Sequence, residues 1–173
     1  MNQQTTTTPS SVGLRYGLIT GFVSVIYTLI LYVTELNENM WLSNLSILIM
    51  IVGIVMAHKN FKGENGGFMS YGQGLGIGSI VSAVVGLLSS VFVFVYVQFI
   101  DTGFLAKVRE AQIVKMEEQG MSDEQIDQAM AMAEKFSSPA MMLIMGFIVT
   151  FIIGFLISLV VAAIMKKSQP EFE

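Results

Sequence analysis

The chain has no cysteine, one histidine, three prolines and only 13% charged residues among its 173. The missing cysteine excludes disulfides, thiolate metal sites and thiol nucleophiles. The shortage of charge excludes an ordinary water-soluble domain. Such domains carry about 25% charged residues, and a chain of this length with so few could not cover its surface with groups that water solvates. There is no basic patch either. The formal net charge is −4, which argues against nucleic acid as a partner.

What the chain does have is apolar surface, with 53% hydrophobic residues and a mean hydropathy of +0.67. Crossing about 30 Å of hydrocarbon takes about 20 helical residues, and four segments are long enough: Leu14–Thr34, Trp41–Ala57, Tyr71–Ile100 and Pro139–Met165. Trp41 stands where interfacial aromatics belong. The third segment would be about 45 Å long as a helix and must tilt or protrude. Pro139 suits a first helical position, where its missing N–H costs nothing. The first segment exceeds the core of a signal peptide. It runs into Glu35, Asn37, Glu38 and Asn39 with no small-x-small cleavage pattern, so it reads as a retained helix.

Residues 1–13 are expected to form a disordered tail, because Met1–Ser11 is Thr-, Gln- and Ser-rich with almost no core-forming side chains. Residues 14–173 are expected to form one all-α, integral membrane four-helix bundle. The links between spans differ. Glu35–Met40 is a tight hairpin, and His58–Ser70 is a polar, glycine-bearing loop. The long charged stretch 101–138 predicts an extramembrane amphipathic helical hairpin or bent helix between the third and fourth spans. Its first helix covers roughly Gly103–Gln119 and is ended by Gly120. Ser122 and Gln125 predict a capping box at the start of the second, with Met121 and Ile126 at the staple positions. Asp123 and Glu124 suit the positive end of that helix's dipole. Ile126, Ala129, Met130, Ala133 and Phe136 follow as one apolar stripe.

Lysine and arginine mark cytoplasmic flanks. Arg15, Lys59, Lys62, Lys166 and Lys167 all fall on one side of a four-span chain. The expectation is therefore a multi-pass protein of the bacterial inner (cytoplasmic) membrane with both termini in the cytoplasm. Segment 101–138 then lies on the other side.

Few residues suggest chemistry. Intramembrane charges mark proton relays and ion paths, and the spans hold essentially none. Small residues recur every fourth position: Gly13, Gly17 and Gly21 in the first span, Gly72 and Gly76 with Gly74 and Gly78 offset in the third, and Gly154, Ser158 and Ala162 in the fourth. In lipid such rows let helix backbones approach closely, either within one bundle or between molecules. Gly72-Gln73-Gly74-Leu75-Gly76-Ile77-Gly78 lacks the preceding strand and the Lys-Ser/Thr ending of a phosphate loop, so nucleotide binding is not expected. Gln73 reads as capping or solvating the helix start in preference to lining a polar cavity near the membrane entrance. His58 with Glu64 nearby sketches a metal site, but a lone interfacial histidine is more simply a polar terminus. Met130, Met132, Met141, Met142 and Met145 suit adaptable packing better than a soft metal. No catalytic, cofactor-binding or metal-ligating set assembles, so the expectation is a protein that is not an enzyme and takes no cofactor. The leading reading is a structural or partner-binding role through segment 101–138, toward a membrane or periplasmic protein or a second copy. The alternative is a transporter or channel component acting as an oligomer.

Two stretches carry a family likeness. One is Gly67-Phe68-Met69-Ser70-Tyr71-Gly72-Gln73-Gly74. The other is Lys115-Met116-Glu117-Glu118-Gln119-Gly120-Met121-Ser122-Asp123-Glu124-Gln125-Ile126, followed by Phe136-Ser137-Ser138-Pro139. With the order of helices, they resemble a bacterial membrane protein family known as domain of unknown function 4199. The resemblance implies a four-helix inner-membrane protein with an extended helical segment between the third and fourth spans. It implies no activity and no site residue.

Overall fold

The computed structural model describes residues 7–168. Among them, regular structure is helical apart from one isolated backbone bridge. The helices are α1 (Pro9–Val33), α2 (Met40–Glu64), α3 (Tyr71–Val95), α4 (Phe104–Glu118), α5 (Asp123–Lys135) and α6 (Pro139–Met165). A 3-10 turn, Leu36–Glu38, precedes α2, and a π-helical turn, Tyr96–Ile100, follows α3.

Two helix ends differ from the expected ones. Of the stretch read as a tail, residues 1–6 lie outside the described residues, while α1 already begins at Pro9. Thr8 is its N-cap, accepting the Ser11 N–H at 3.2 Å, with proline in the first turn. Helix α2 runs to Glu64 instead of stopping near Ala57. Its buried face continues through Ala57, His58 and Phe61, while Lys59 and Glu64 point outward. The start of α3 matches its signals, with the Ser70 N–H bonded to Gln73 Oε1 at 2.8 Å and the Gln73 N–H to Ser70 Oγ at 3.2 Å. That reciprocal pair is a capping box, and it gives Gln73 the capping role.

The chain divides into two compact units. One comprises the described residues up to Ser89 together with those from Phe147 onward; the other is Ser90–Gly146.

The first unit buries small and hydroxyl-bearing residues beside an apolar core, and leaves many large apolar side chains on its surface. Its interior holds Gly13, Gly17, Thr20, Gly21 and Ser24 of α1, Gly53 of α2, Ser82 of α3, and Gly154 and Ser158 of α6, beside Ile54, Ala57, Ile77 and Val81. Many of its large apolar side chains face outward: Leu18, Phe22 and Ile26 of α1, Val52 and Met56 of α2, and Ile152, Leu156, Val160 and Ile164 of α6. The glycine row of α1 lies against Ile80, Val84 and Leu88 of α3. On α3 the close-packed row is Gly74, Gly78 and Ser82, which meets α6, whereas Gly72 and Gly76 face open space. Small residues thus serve close approach between helices of one chain. Ser82 Oγ satisfies itself by donating to the Gly78 carbonyl at 2.7 Å, the back-bonding open to a buried helical serine.

The second unit contains the end of α3, the π turn, α4, α5 and the start of α6. The π turn is closed by the Asp101 N–H bonding to the Tyr96 carbonyl at 2.9 Å. It buries the consecutive side chains Tyr96 and Val97. Tyr96 packs edge-on against Phe104 of α4, with ring centroids 5.7 Å apart. Helix α4 ends in a Schellman motif. Gly120, at φ 77°, bonds through its N–H to the Glu117 carbonyl, and Met121 N–H reaches the Met116 carbonyl. The capping box of α5 is formed as its sequence predicts, from Ser122 and Gln125. Ser122→Ala is expected to destabilise α5 by about 1 kcal/mol, read as faster amide hydrogen exchange across Gln125–Met130 with α4 unchanged.

Candidate functional site

Helices α4 and α5 pack against each other. The apolar stripe of α5 splits in two as a result. Ile126 and Met130 are buried, at 6% and 7% exposure, while Phe136 at the C-terminal end stays 52% exposed. Between the helices lies a groove of about 480 Å³, lined by Leu105, Ala106 and Val108 of α4, Met130 and Ala133 of α5, Phe136, and Met142 of α6. Arg109 and Glu134 face each other across it at 3.9 Å. Both are more than half exposed, so this pair contributes little to stability. The groove is therefore apolar on its floor, polar at one edge, and supplied with two flexible methionines that can repack around an occupant.

Candidates for metal chemistry in the sequence do not converge. Among the described residues no group of three or more His, Asp or Glu comes together. His58 is fully buried in the first unit, with Nε2 2.8 Å from the Gly74 carbonyl oxygen. A carbonyl only accepts, so Nε2 is the protonated nitrogen. Among the described residues Nδ1, also buried, has no hydrogen-bond partner. Glu64 is occupied elsewhere, accepting from Thr7 Oγ1 at 2.5 Å and from Asn60 Nδ2 at 3.0 Å. Of the methionine run, Met130 and Met142 line the groove and Met132 is 66% exposed.

Sequence reasoning missed the set of ties at the lysine-bearing end of the first unit. Met69 and Lys167 exchange both backbone hydrogen bonds, at 2.9 and 2.8 Å. Lys62 Nζ donates to the Met165 carbonyl at 3.1 Å, at the C-terminal end of α6, where a cation suits the helix dipole. Lys167 Nζ also stands 5.5 Å from the Phe68 ring centroid. The only local signal for these contacts was the clustering of Lys59, Lys62, Lys166 and Lys167.

Among the described residues four helices are long and apolar enough to cross a membrane, and they bury hydroxyls and glycines beside a small apolar core while exposing many leucines, isoleucines and phenylalanines. Solvent of that preference is hydrocarbon, and the class this defines is a multi-pass, all-helical membrane protein. The family can be stated as well: the chain belongs to the family described as "Protein of unknown function (DUF4199)", whose pattern matches residues 15–167. No curated protein and no solved structure matches it.

Proposed function

We propose that this is a non-enzymatic protein of the bacterial inner membrane, with both termini in the cytoplasm, and that the α4–α5 groove outside the membrane docks a partner protein. The observation that carries the reading is the half-exposed Phe136 at the mouth of an apolar, methionine-lined groove. Aromatic side chains, Phe among them, and Met are enriched at the core of protein interfaces. Segment 101–138 carries eight acidic and four basic residues, which favours a partner with a basic rim. Of the α3 glycines, Gly74 and Gly78 pack against α6, and no observation favours the alternative of a transporter or channel component.

The test is purification of the intact protein from its native membrane in mild detergent, followed by mass spectrometry of what remains bound. A stoichiometric partner that is lost when residues 101–138 are replaced by a flexible linker supports the reading. Recovery of the protein alone, or a partner indifferent to the replacement, overturns it.

Topology can be tested separately, because a chain without cysteine gives no labelling background. In intact cells, with an outer membrane, where present, made passable, a membrane-impermeant maleimide is expected to label Gln128→Cys on α5. It should label Gly63→Cys on α2 only after the inner membrane is opened. Gly63 has open space around it, so the new side chain is accommodated. Labelling in the opposite order would reverse the orientation.

A further inference from the structure

At the end of the first unit where α1 begins and α2 finishes, Thr7, Thr8, Ser11 and Arg15 face Asn60 and Glu64 across a polar cavity of about 400 Å³. That lies within the range of small-ligand sites, about 300–1,000 Å³. The two walls carry opposite charges, Arg15 on α1 and Glu64 on α2. Among the described residues Arg15 makes no ion pair within 4.0 Å, and its charge acts on Glu64 across the cavity without contact. The Glu64 carboxylate is held in place by Thr7 and Asn60, one donor on each oxygen, so each oxygen keeps a lone pair for a further donor. The end of α1 is not itself the attraction, since Thr8 already accepts the Ser11 N–H and the Ser11 hydroxyl bonds to the Thr8 carbonyl.

Below Arg15 on the same face of α1, Leu18, Ile19 and Phe22 are 47%, 51% and 59% exposed. An apolar track of this kind leads from the cavity down the outer surface of a helix that is long enough to cross the membrane. A ligand that fits both parts has a headgroup with an anion and a hydrogen-bonding cation, joined to hydrocarbon tails. We propose that this cavity binds the headgroup of a phosphatidylethanolamine, its phosphate on Arg15 and its primary ammonium on Glu64, with the acyl chains along Leu18, Ile19 and Phe22. The assignment is independent of any partner at the α4–α5 groove. The choice of a primary amine follows from Glu64. A methylated choline nitrogen has no N–H to donate, and a glycerol headgroup brings no positive charge.

The experiment is native mass spectrometry of the full chain in dodecyl maltoside. Phosphatidylethanolamine, phosphatidylcholine and phosphatidylglycerol with identical acyl chains are offered in equal amounts. Retention of phosphatidylethanolamine is expected to exceed that of the other two by about tenfold, the scale of one charge-assisted contact. Glu64→Gln should erase that preference while leaving phosphatidylglycerol retention unchanged, and Arg15→Gln should lower retention of both. Lys59→Gln, an exposed lysine that does not line the cavity, should change neither. Size-exclusion elution identifies any variant that misfolds, and Glu64→Gln, a near-isosteric change at an exposed residue, carries the decision if Arg15→Gln does. Equal retention of the three lipids, a preference for phosphatidylglycerol, or an unaltered preference in Glu64→Gln overturns the proposal.

Discussion

Replacing Gly78 by leucine is expected to destabilise the bundle by about 3 kcal/mol or more, whereas leucine at Gly76, two residues away, should be within about 0.5 kcal/mol of the parent. A Cβ at position 78 would collide with Ser158 Oγ and lie 2.6 Å from Ser158 Cβ. Both atoms belong to a buried serine on a packed helix, so the neighbour cannot swing aside and α3 must move away from α6. At position 76 a Cβ meets nothing within 4 Å, and losing a helical glycine even favours the helix. Gly154→Leu should match Gly78→Leu, since its Cβ would strike Ser82 Oγ and lie 2.6 Å from both Met50 Sδ and Ser82 Cβ. Helix association in lipid depends on close backbone contact rather than on hiding apolar area, so separating two helices here has no hydrophobic compensation. Thermal stability followed by fluorescence-detected size exclusion separates the cases. Equal loss at positions 76 and 78 would show that the row facing α6 has been misassigned.

The second large effect is expected at Met130. Met130→Asp places a carboxylate where only 7% of the residue is exposed, and should cost about 3–5 kcal/mol through lost packing and an unpaired buried charge. Phe136→Asp, at a residue 52% exposed, should change stability by no more than about 0.5 kcal/mol. If the groove docks a partner, the same Phe136 substitution weakens that complex by about 2 kcal/mol, the scale of an interface anchor. Hydrogen exchange over residues 104–135 reads the first effect and co-purification the second. A Phe136 variant that unfolds the helix pair would make the residue part of the internal packing and remove it from the partner surface.

The contrast between these two residues marks how far the sequence could be read. Ile126, Met130 and Phe136 stand on one stripe by spacing alone, and nothing local distinguishes the covered positions from the open one; that depends on where α4 lies. The start of α5 was legible, because Ser122 and Gln125 satisfy each other's backbone within one turn. The end of α2 was not. Hydropathy fails at Lys59 and Lys62, yet Ala57, His58 and Phe61 keep the buried face going, and an average over residues cannot separate two faces of one helix. The interleaved glycines of α3 pose the same difficulty. Gly74 and Gly78 differ from Gly72 and Gly76 only by a rotation about the helix axis, and composition does not encode which row meets α6. His58 escaped notice as a buried residue for the reason that α2 was cut short.

The pairing of Met69 with Lys167 has a consequence for biogenesis. A chain made from its N-terminus inserts α1, α2 and α3 while Lys167 is still unsynthesised, so the Met69 N–H and carbonyl wait without their partner until α6 has been made. Only when α6 is in place can the residues that follow it zip onto the loop before α3. The Lys62 bond to the end of α6 must form at the same stage. This rim therefore closes only after α6 has been made. A nascent chain arrested before Lys167 should expose the 65–70 loop to a protease that the finished protein resists.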